Sequence, residues 1–214
     1  MATINVLIAV DGAKLASQVA DGSLSAGSPG SPTNLGSYGT SDVYVAMIAP
    51  NSYVSNSTQG DSELQISANG GDTVEWAITT FDNNFDQTAY LYGGSFNPST
   101  AINLPLSYAC GQAYSYLALG NPPVSTPTQF INQVSSVSGT IIQLKVQIQY
   151  TLSFTLVNNS NGQIIGYFSW DPFINVNSLI VAVINQISYK PINKAIKRPL
   201  QILQRPFYCR CRIF

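Results

Sequence analysis

Residues 142–156 alternate without a break. Ile142, Leu144, Val146, Ile148, Tyr150, Leu152, Phe154 and Leu156 are apolar, and every residue between them is polar. Successive side chains point to opposite faces only in a β-strand, so a period of two predicts one buried and one wet face. A helix would scatter the same apolar residues around its whole circumference. At about 3.3 Å per residue the run would reach roughly 50 Å, longer than most strands. It is therefore expected to bend or to pass from one sheet to another.

Shorter runs repeat the signal. Thr3–Val10, Asp42–Ala49, Glu63–Ala68, Thr73–Phe81, Thr88–Tyr92 and Gln163–Trp170 all read as strands. Asn69-Gly70-Gly71-Asp72 reads as a hairpin turn between two of them. Asp82–Asp86 and Asn158–Gly162 read as further turns. The series predicts an all-β fold, an antiparallel β-sandwich of about seven to ten strands. Residues 21–41, mostly Gly, Ser, Pro and Asn, are expected to form a mobile surface loop. Residues 97–128 carry Pro98, Pro105, Pro122, Pro123 and Pro127 with Tyr108, Tyr114 and Tyr116. They are expected to run along a sandwich edge and guard it against strand addition.

Charge divides the chain. Residues 1–177 hold all ten acidic side chains and two basic ones, Lys14 and Lys145, for a net of 2 − 10 = −8. Residues 178–214 hold the other seven basic residues and no acid, a net of +7. The sequence thus reads as a sandwich body over 1–177 and a basic C-terminal extension over 178–214. Pro191, Pro199 and Pro206 cut the extension into pieces too short for stable helices, so it is expected to be poorly ordered. Charged residues are 9% of the chain, against about 25% in an average soluble domain. Neutral amides and hydroxyls supply the polarity instead. They repel neighbouring molecules weakly and permit close self-association. A body at −8 is not expected to bind nucleic acid or an acidic membrane.

The chain has no histidine. This excludes Ser-His-Asp and Cys-His catalysis, His-based metal sites and His proton shuttles. Cys110 is the body's single cysteine and is expected to be a small core residue rather than a nucleophile. Glycine-rich 27–39 lacks the strand–loop–helix setting and the lysine of a phosphate loop, and no cofactor is expected. The first residues have no basic segment of the kind that precedes a secretory signal. No run approaches the ~18 apolar residues of a membrane helix. A cytoplasmic location follows as the expectation.

Candidate ligand chemistry is sparse. Asp61 with Glu63, and Asp82 with Asp86, fall short of the roughly six oxygens that calcium takes, and turn capping suits Asp82–Asp86 better. An exposed indole beside acids and amides can stack on a sugar ring. The candidate ligand site is therefore Trp170 with Asp171, and Trp76. Against it, Trp76 shares a face with Val74 and Ile78, which favours the core. Metal ligands and catalytic residues are not assigned.

Several stretches carry a family resemblance. They are ATINVLIAVD at the start, DVYVAMIAP (42–50), QGDSELQISANGGDTVEW (59–76), TAYLYG (88–93) and GYFSWDP (166–172) with Phe173-Ile174-Asn175-Val176. Together they resemble the PixA/AidA inclusion-body protein family, in order and over nearly all of the body. The most specific parts are Gly71-Asp72 with Trp76 and the closing Trp170-Asp171-Pro172. The resemblance implies an all-β sandwich that accumulates in cytoplasmic inclusions of microbes, and it implies no catalytic residues. The chain departs from the family pattern in two ways. It has only Met1 and Met47, so methionine storage does not carry over, and it continues past the WDP stretch into the basic extension.

These readings converge on a non-enzymatic, self-associating sandwich whose partner is a second copy of itself. A carbohydrate-binding module is the alternative, with a glycan as partner. If the extension lies outside the core, truncation after Asn177 leaves the body folded. Thermal unfolding of the truncated chain should then match the full chain, because losing even ~1 kcal/mol of contact would lower the midpoint by about 2–4 °C.

Overall fold

The first eight strand residues show the logic of the whole. In β1 (Thr3–Val10) the side chains of Ile4, Val6, Ile8 and Val10 are buried, while Thr3, Asn5 and Leu7 are exposed. Each buried aliphatic is worth up to about 1.5–3 kcal/mol, which exceeds the ~1 kcal/mol range of strand propensities. The apolar pattern therefore sets which face turns inward. A computed structural model describes residues 1–37 and 39–177 of the chain. The predicted basic extension 178–214, and its boundary with the body, lie outside the described residues.

After β1 come the helix α1 (Gly12–Ala20), β2 (Thr33–Asn34), a 3-10 turn at Thr40–Val43, β3 (Val45–Ile48) and β4 (Gln65–Ala68). Then follow β5 (Thr73–Thr80), β6 (Gln87–Asn97), β7 (Ser107–Leu117), β8 (Thr128–Thr140), β9 (Gln147–Asn158), β10 (Ile164–Trp170) and β11 (Phe173–Val176). One sheet has the order β3-β1-β5-β8-β7. The other is built on β9, with β6 along one edge and both β10 and β11 along the opposite edge. There β2 extends β10 and β4 extends β11. β10 and β11 behave as one strand interrupted at Asp171-Pro172, where proline has no N–H for the ladder; the Pro172 carbonyl still accepts from Tyr150 N at 3.0 Å.

The predicted antiparallel sandwich needs correction on one point: the sheets are mixed. β1 and β5 run parallel over eight residue pairs, and β2–β10 and β4–β11 are parallel as well. For the β1–β5 pair the Asn69–Asp72 turn is decisive. It does not close a hairpin, because β4 lies in one sheet and β5 in the other. The turn carries the chain across the core, and after such a crossover a strand can return parallel to an earlier one. Gly71 takes the left-handed φ of 91° at this corner. The buried Asp72 carboxylate accepts from Ala2 N (2.7 Å), Asn69 N (3.0 Å) and Asn69 Nδ2 (3.3 Å), so the corner is tied to the start of the chain.

The long alternating run also divides. Only its later part belongs to β9; residues 142–146 lie between β8 and β9 and so pass from one sheet to the other. Lys145 has a left-handed φ of 55°, and Ile142 and Leu144 are exposed. A residue in that conformation ends strand geometry, which overrides the pattern.

Residues 21–37 are more constrained than a free loop. Leu35 is buried, its N–H donates to Ser169 O at 2.8 Å, and Tyr167 N donates to Ala26 O at 2.7 Å. The sequence patterns predict no element at α1; Asp11 caps it by accepting from Lys14 N at 2.9 Å, and Leu15 enters the core.

Two indoles connect the sheets. Trp76 on β5 lies 5.4 Å from the Tyr150 ring on β9 and 6.2 Å from the Phe96 ring on β6. Its Nε1 donates to Tyr150 Oη at 3.1 Å. Trp170 on β10 packs edge-on against Phe154 at 5.8 Å, and its Nε1 points at Met47 Sδ on β3 at 3.3 Å. Replacing Tyr150 with Phe keeps the ring and removes the acceptor. We expect this to cost about 2 kcal/mol, since the Trp76 N–H is left buried and unpaired. A thermal melt of Tyr150→Phe should show a midpoint lower by about 4–8 °C, and an unchanged melt would refute the role of this bond.

Candidate functional site

The most unusual surface is a two-stranded ribbon. β8 pairs with β5 only from Val137 to Thr140. Before Val137 its described partner is β7 alone, in unbroken antiparallel register from Ser107↔Ser138 to Leu117↔Thr128. The base of the ribbon is anchored: Val137 and Ile141 enter the core with Ile102 and Leu106. Beyond it the ribbon leaves the sandwich. From Ser107 to Val134 every residue is exposed except Ala113 and Ser115, which are half-buried. Cys110, expected in the core, is therefore on the surface, because among the described residues no second sheet covers β7 there.

Alternation sorts the ribbon into two faces. Tyr108, Cys110, Gln112, Tyr114 and Tyr116 share the face that continues the core side of Val137. Ala109, Gly111, Ala113, Ser115 and Leu117 share the other, with Val134 and Phe130 opposite Gly111 and Ser115. This second face leads into a shallow trough of about 400 Å³ between Glu75, Ala109, Gly111 and Val134. At its edge Ser136 Oγ donates to Glu75 Oε1 at 2.6 Å. Residues 87–144, which include the whole ribbon, contain no Asp, Glu, Lys or Arg. The expectation that 97–128 guards an edge is thus corrected: 107–117 is itself a long edge strand. Its prolines sit outside β7, so every β7 residue keeps its backbone N–H. The missed signals were the charge-free stretch and the spacing of Tyr108, Cys110, Tyr114 and Tyr116 at even positions.

The residues proposed for sugar stacking lie elsewhere and do not converge. Trp76 and Trp170 are both fully buried, on different sheets, with their ring faces in the aromatic core. Neither presents a face on which a sugar could stack, which corrects the site read from the sequence. Asp171 is half-buried. Its Oδ2 accepts from Gln149 Nε2 at 2.9 Å, and its Oδ1 has no partner among the described residues. Partial burial pushes its carboxyl above the ordinary value, with the Gln149 hydrogen bond pulling the other way.

The acidic turn at 82–86 holds itself. The Asp82 carboxylate accepts from Thr80 Oγ1, from Asp86 N at 2.8 Å and from Phe85 N at 3.3 Å. Asn83 and Asn84 take left-handed φ values of 59° and 58°. Asn84 Oδ1 in turn accepts from Thr80 N at 3.1 Å. This is the expected capping role. Among the described residues no group of three or more His, Cys, Asp or Glu side chains is placed to hold a metal ion. Among them, too, no helix is long and apolar enough to cross a membrane.

Comparison with known proteins agrees with the geometry. The family model described as PixA, inclusion body protein, matches residues 2–176. The crystal structure of an inclusion body protein of the PixA family from Burkholderia cenocepacia superposes with a TM-score of 0.59 at 15% identity, covering 81% of this chain and 95% of that one. At that identity the likeness concerns the fold. Amebosin, seen in solution, aligns with a TM-score of 0.21 at 11% identity, covering 53% of this chain and 88% of its own. A cysteine protease inhibitor from Entamoeba histolytica aligns at 0.18 and 11%, covering 52% and 84%. No curated protein matches the chain.

The Thr80 hydroxyl first, and the Asp86 amide second, hold the Asp82 carboxyl below its ordinary value. A lowered folded-state value means that the charged form stabilises the fold above the unfolded value and that this stability is lost as pH falls through the folded one. At this open position solvent screening limits the effect to no more than about 1 kcal/mol. Asp82→Ala should therefore melt about 2–4 °C lower at neutral pH. The gap should close in acid below the ordinary carboxylate range. A gap that persists unchanged in acid would assign the loss to something other than the carboxylate.

Proposed function

The chain belongs to the PixA inclusion body protein family, and from that premise we propose that it is a non-enzymatic sandwich that self-associates and gathers in cytoplasmic inclusions. The carrying observation is the exposed β7–β8 ribbon, long, free of charge and bearing large exposed apolar side chains among neutral polar ones. A surface of this kind lacks the repulsion that keeps charge-rich proteins apart. Its large apolar side chains, Tyr114, Tyr116, Leu117, Ile131 and Val134, lose water when a second molecule covers them. The absence of histidine, and carboxylates engaged in turns at Asp72 and Asp82, support a role in contact rather than in bond-making.

The family's printed description speaks of inclusion bodies, and a chain that packs with itself is what such a body requires. Nothing in the buried indoles favours a glycan as partner. Sedimentation of the purified full chain over a wide concentration range tests the reading. The mean mass should rise with concentration. Added salt should not reverse the rise, because no ion pair holds the contact and screening has little to weaken. A chain that sediments as a monomer at every concentration and salt would overturn the proposal.

A further inference from the structure

We propose that β7 docks edge to edge, antiparallel, on the β7 of a second copy of this chain, about a two-fold axis through Gln112. This rests on the self-association read above and names the surface that performs it.

Edge strands are normally protected. In this fold β2 is two residues long, and β3 and β4 are four each. β6 has eleven residues, but its register shifts between Leu91 and Gly93, so a bulge interrupts it. β7 also has eleven residues and its register with β8 is unbroken. It has no proline and no charge, which are the usual devices that stop strand addition. Its outer edge pairs with nothing among the described residues. A lone two-stranded ribbon is marginal in water, and a third strand would support it.

Self-pairing about Gln112 suits the side chains. A two-fold there sets Tyr108 opposite the partner's Tyr116, Cys110 opposite the partner's Tyr114 and Gln112 opposite the partner's Gln112. On the other face Ala109 meets the partner's Ser115 and Gly111 meets the partner's Ala113. Aromatic rings thus flank a central amide pair, and the opposite face is small enough for close approach. Gly111 has open space where a Cβ would stand. No charge lies on β7 of either copy to repel the other strand or to select a charged partner, so the edge is compatible with itself. Tyr108, Tyr114 and Tyr116 are 45%, 66% and 64% exposed. At ~200 Å² each they offer roughly 350 Å² per copy, below the ~800 Å² per partner of a standard interface. The contact is therefore concentration-dependent, and pairing joins two five-stranded sheets into one continuous sheet.

The test uses the full chain with Cys110, Cys209 and Cys211 changed to Ser. In this background Gln112→Cys places two thiols across the axis at Cα separations of about 4.5–5.5 Å, inside the range for a disulfide. Oxidation should give a covalent dimer in high yield, and Gln163→Cys, on the β9–β10 turn, should give none above background. In the otherwise unchanged chain, Gln112→Lys sets two like charges face to face and should weaken association by about an order of magnitude. Its circular dichroism should be unchanged, because the site is exposed. If the unchanged chain associates but Gln112→Cys cross-links no better than the control, the β7 pairing is wrong and self-association stands through another surface. If the unchanged chain never associates, both fall. A monomer whose introduced thiol resists labelling would mean that another segment of the same chain covers the edge, which also overturns the proposal.

Discussion

Two buried indole N–H groups hold the arrangement of the sheets. An indole has one donor and no acceptor, and leaving it unpaired in the core costs a sizeable part of a domain's net stability. Each tryptophan here sends that donor to the opposite sheet, Trp76 to Tyr150 and Trp170 to Met47. Dispersion and area burial would allow the sheets to slide over each other, because apolar contact is non-directional. A donor that has to meet a particular oxygen or sulfur restricts the slide. Burial of Tyr150 keeps its phenol in the neutral, hydrogen-bonding form by raising its pKa far above the ordinary value. That state is the one able to accept from Trp76 while retaining its own proton.

The mixed topology fits the same constraint. If the indoles hold the sheets in one relation, short connections that cross the core can be used repeatedly. The chain crosses at Asn69–Asp72 and again at 142–146. The crossing at Asn69–Asp72 returns β5 alongside β1 in parallel, so the two most regular strands of the first sheet lie side by side without a hairpin. Their registered inner residues, Ile4 with Val74, Val6 with Trp76 and Ile8 with Ile78, bring the indole to the middle of a wall of aliphatic side chains.

Strand existence was legible wherever burial and period agreed. Thr3–Val10 matches β1 residue for residue, and Gln163–Trp170 differs from β10 at one end only. What could not be read was where a strand goes. Asn-Gly-Gly-Asp has the residues of a hairpin turn, and the local chemistry of a corner between sheets is the same: a left-handed glycine and a carboxylate that caps. The difference lies in tertiary pairing, which no window of residues contains. The run at 142–156 was legible as a strand that bends or changes sheets, and it does change sheets; what its pattern does not reveal is where, because the left-handed conformation of Lys145 is not written in the alternation. The candidate ligand residues failed because aromatic composition is equal in a core and in an open groove. Trp170 beside Asp171 resembles a sugar site on paper, and only the packing of Phe154 and Met47 around the indole decides the matter.

The ribbon follows a different rule from the rest of the molecule. In the sandwich the small charge content costs nothing, since burial and hydrogen bonds carry stability. On an exposed strand the same lack of charge removes protection against strand addition. Natural sheets insert a lysine or a proline at such edges, and either could be accommodated on an exposed β7. Its even positions hold tyrosine and glutamine, which pair well across strands, and its odd positions hold glycine, alanine and serine, which let strands approach. A strand whose only need was solubility would gain from one lysine at position 112 and lose nothing in packing, because no core contact is made there. A neutral edge beside an otherwise well-satisfied core suits the contact between copies proposed for this surface.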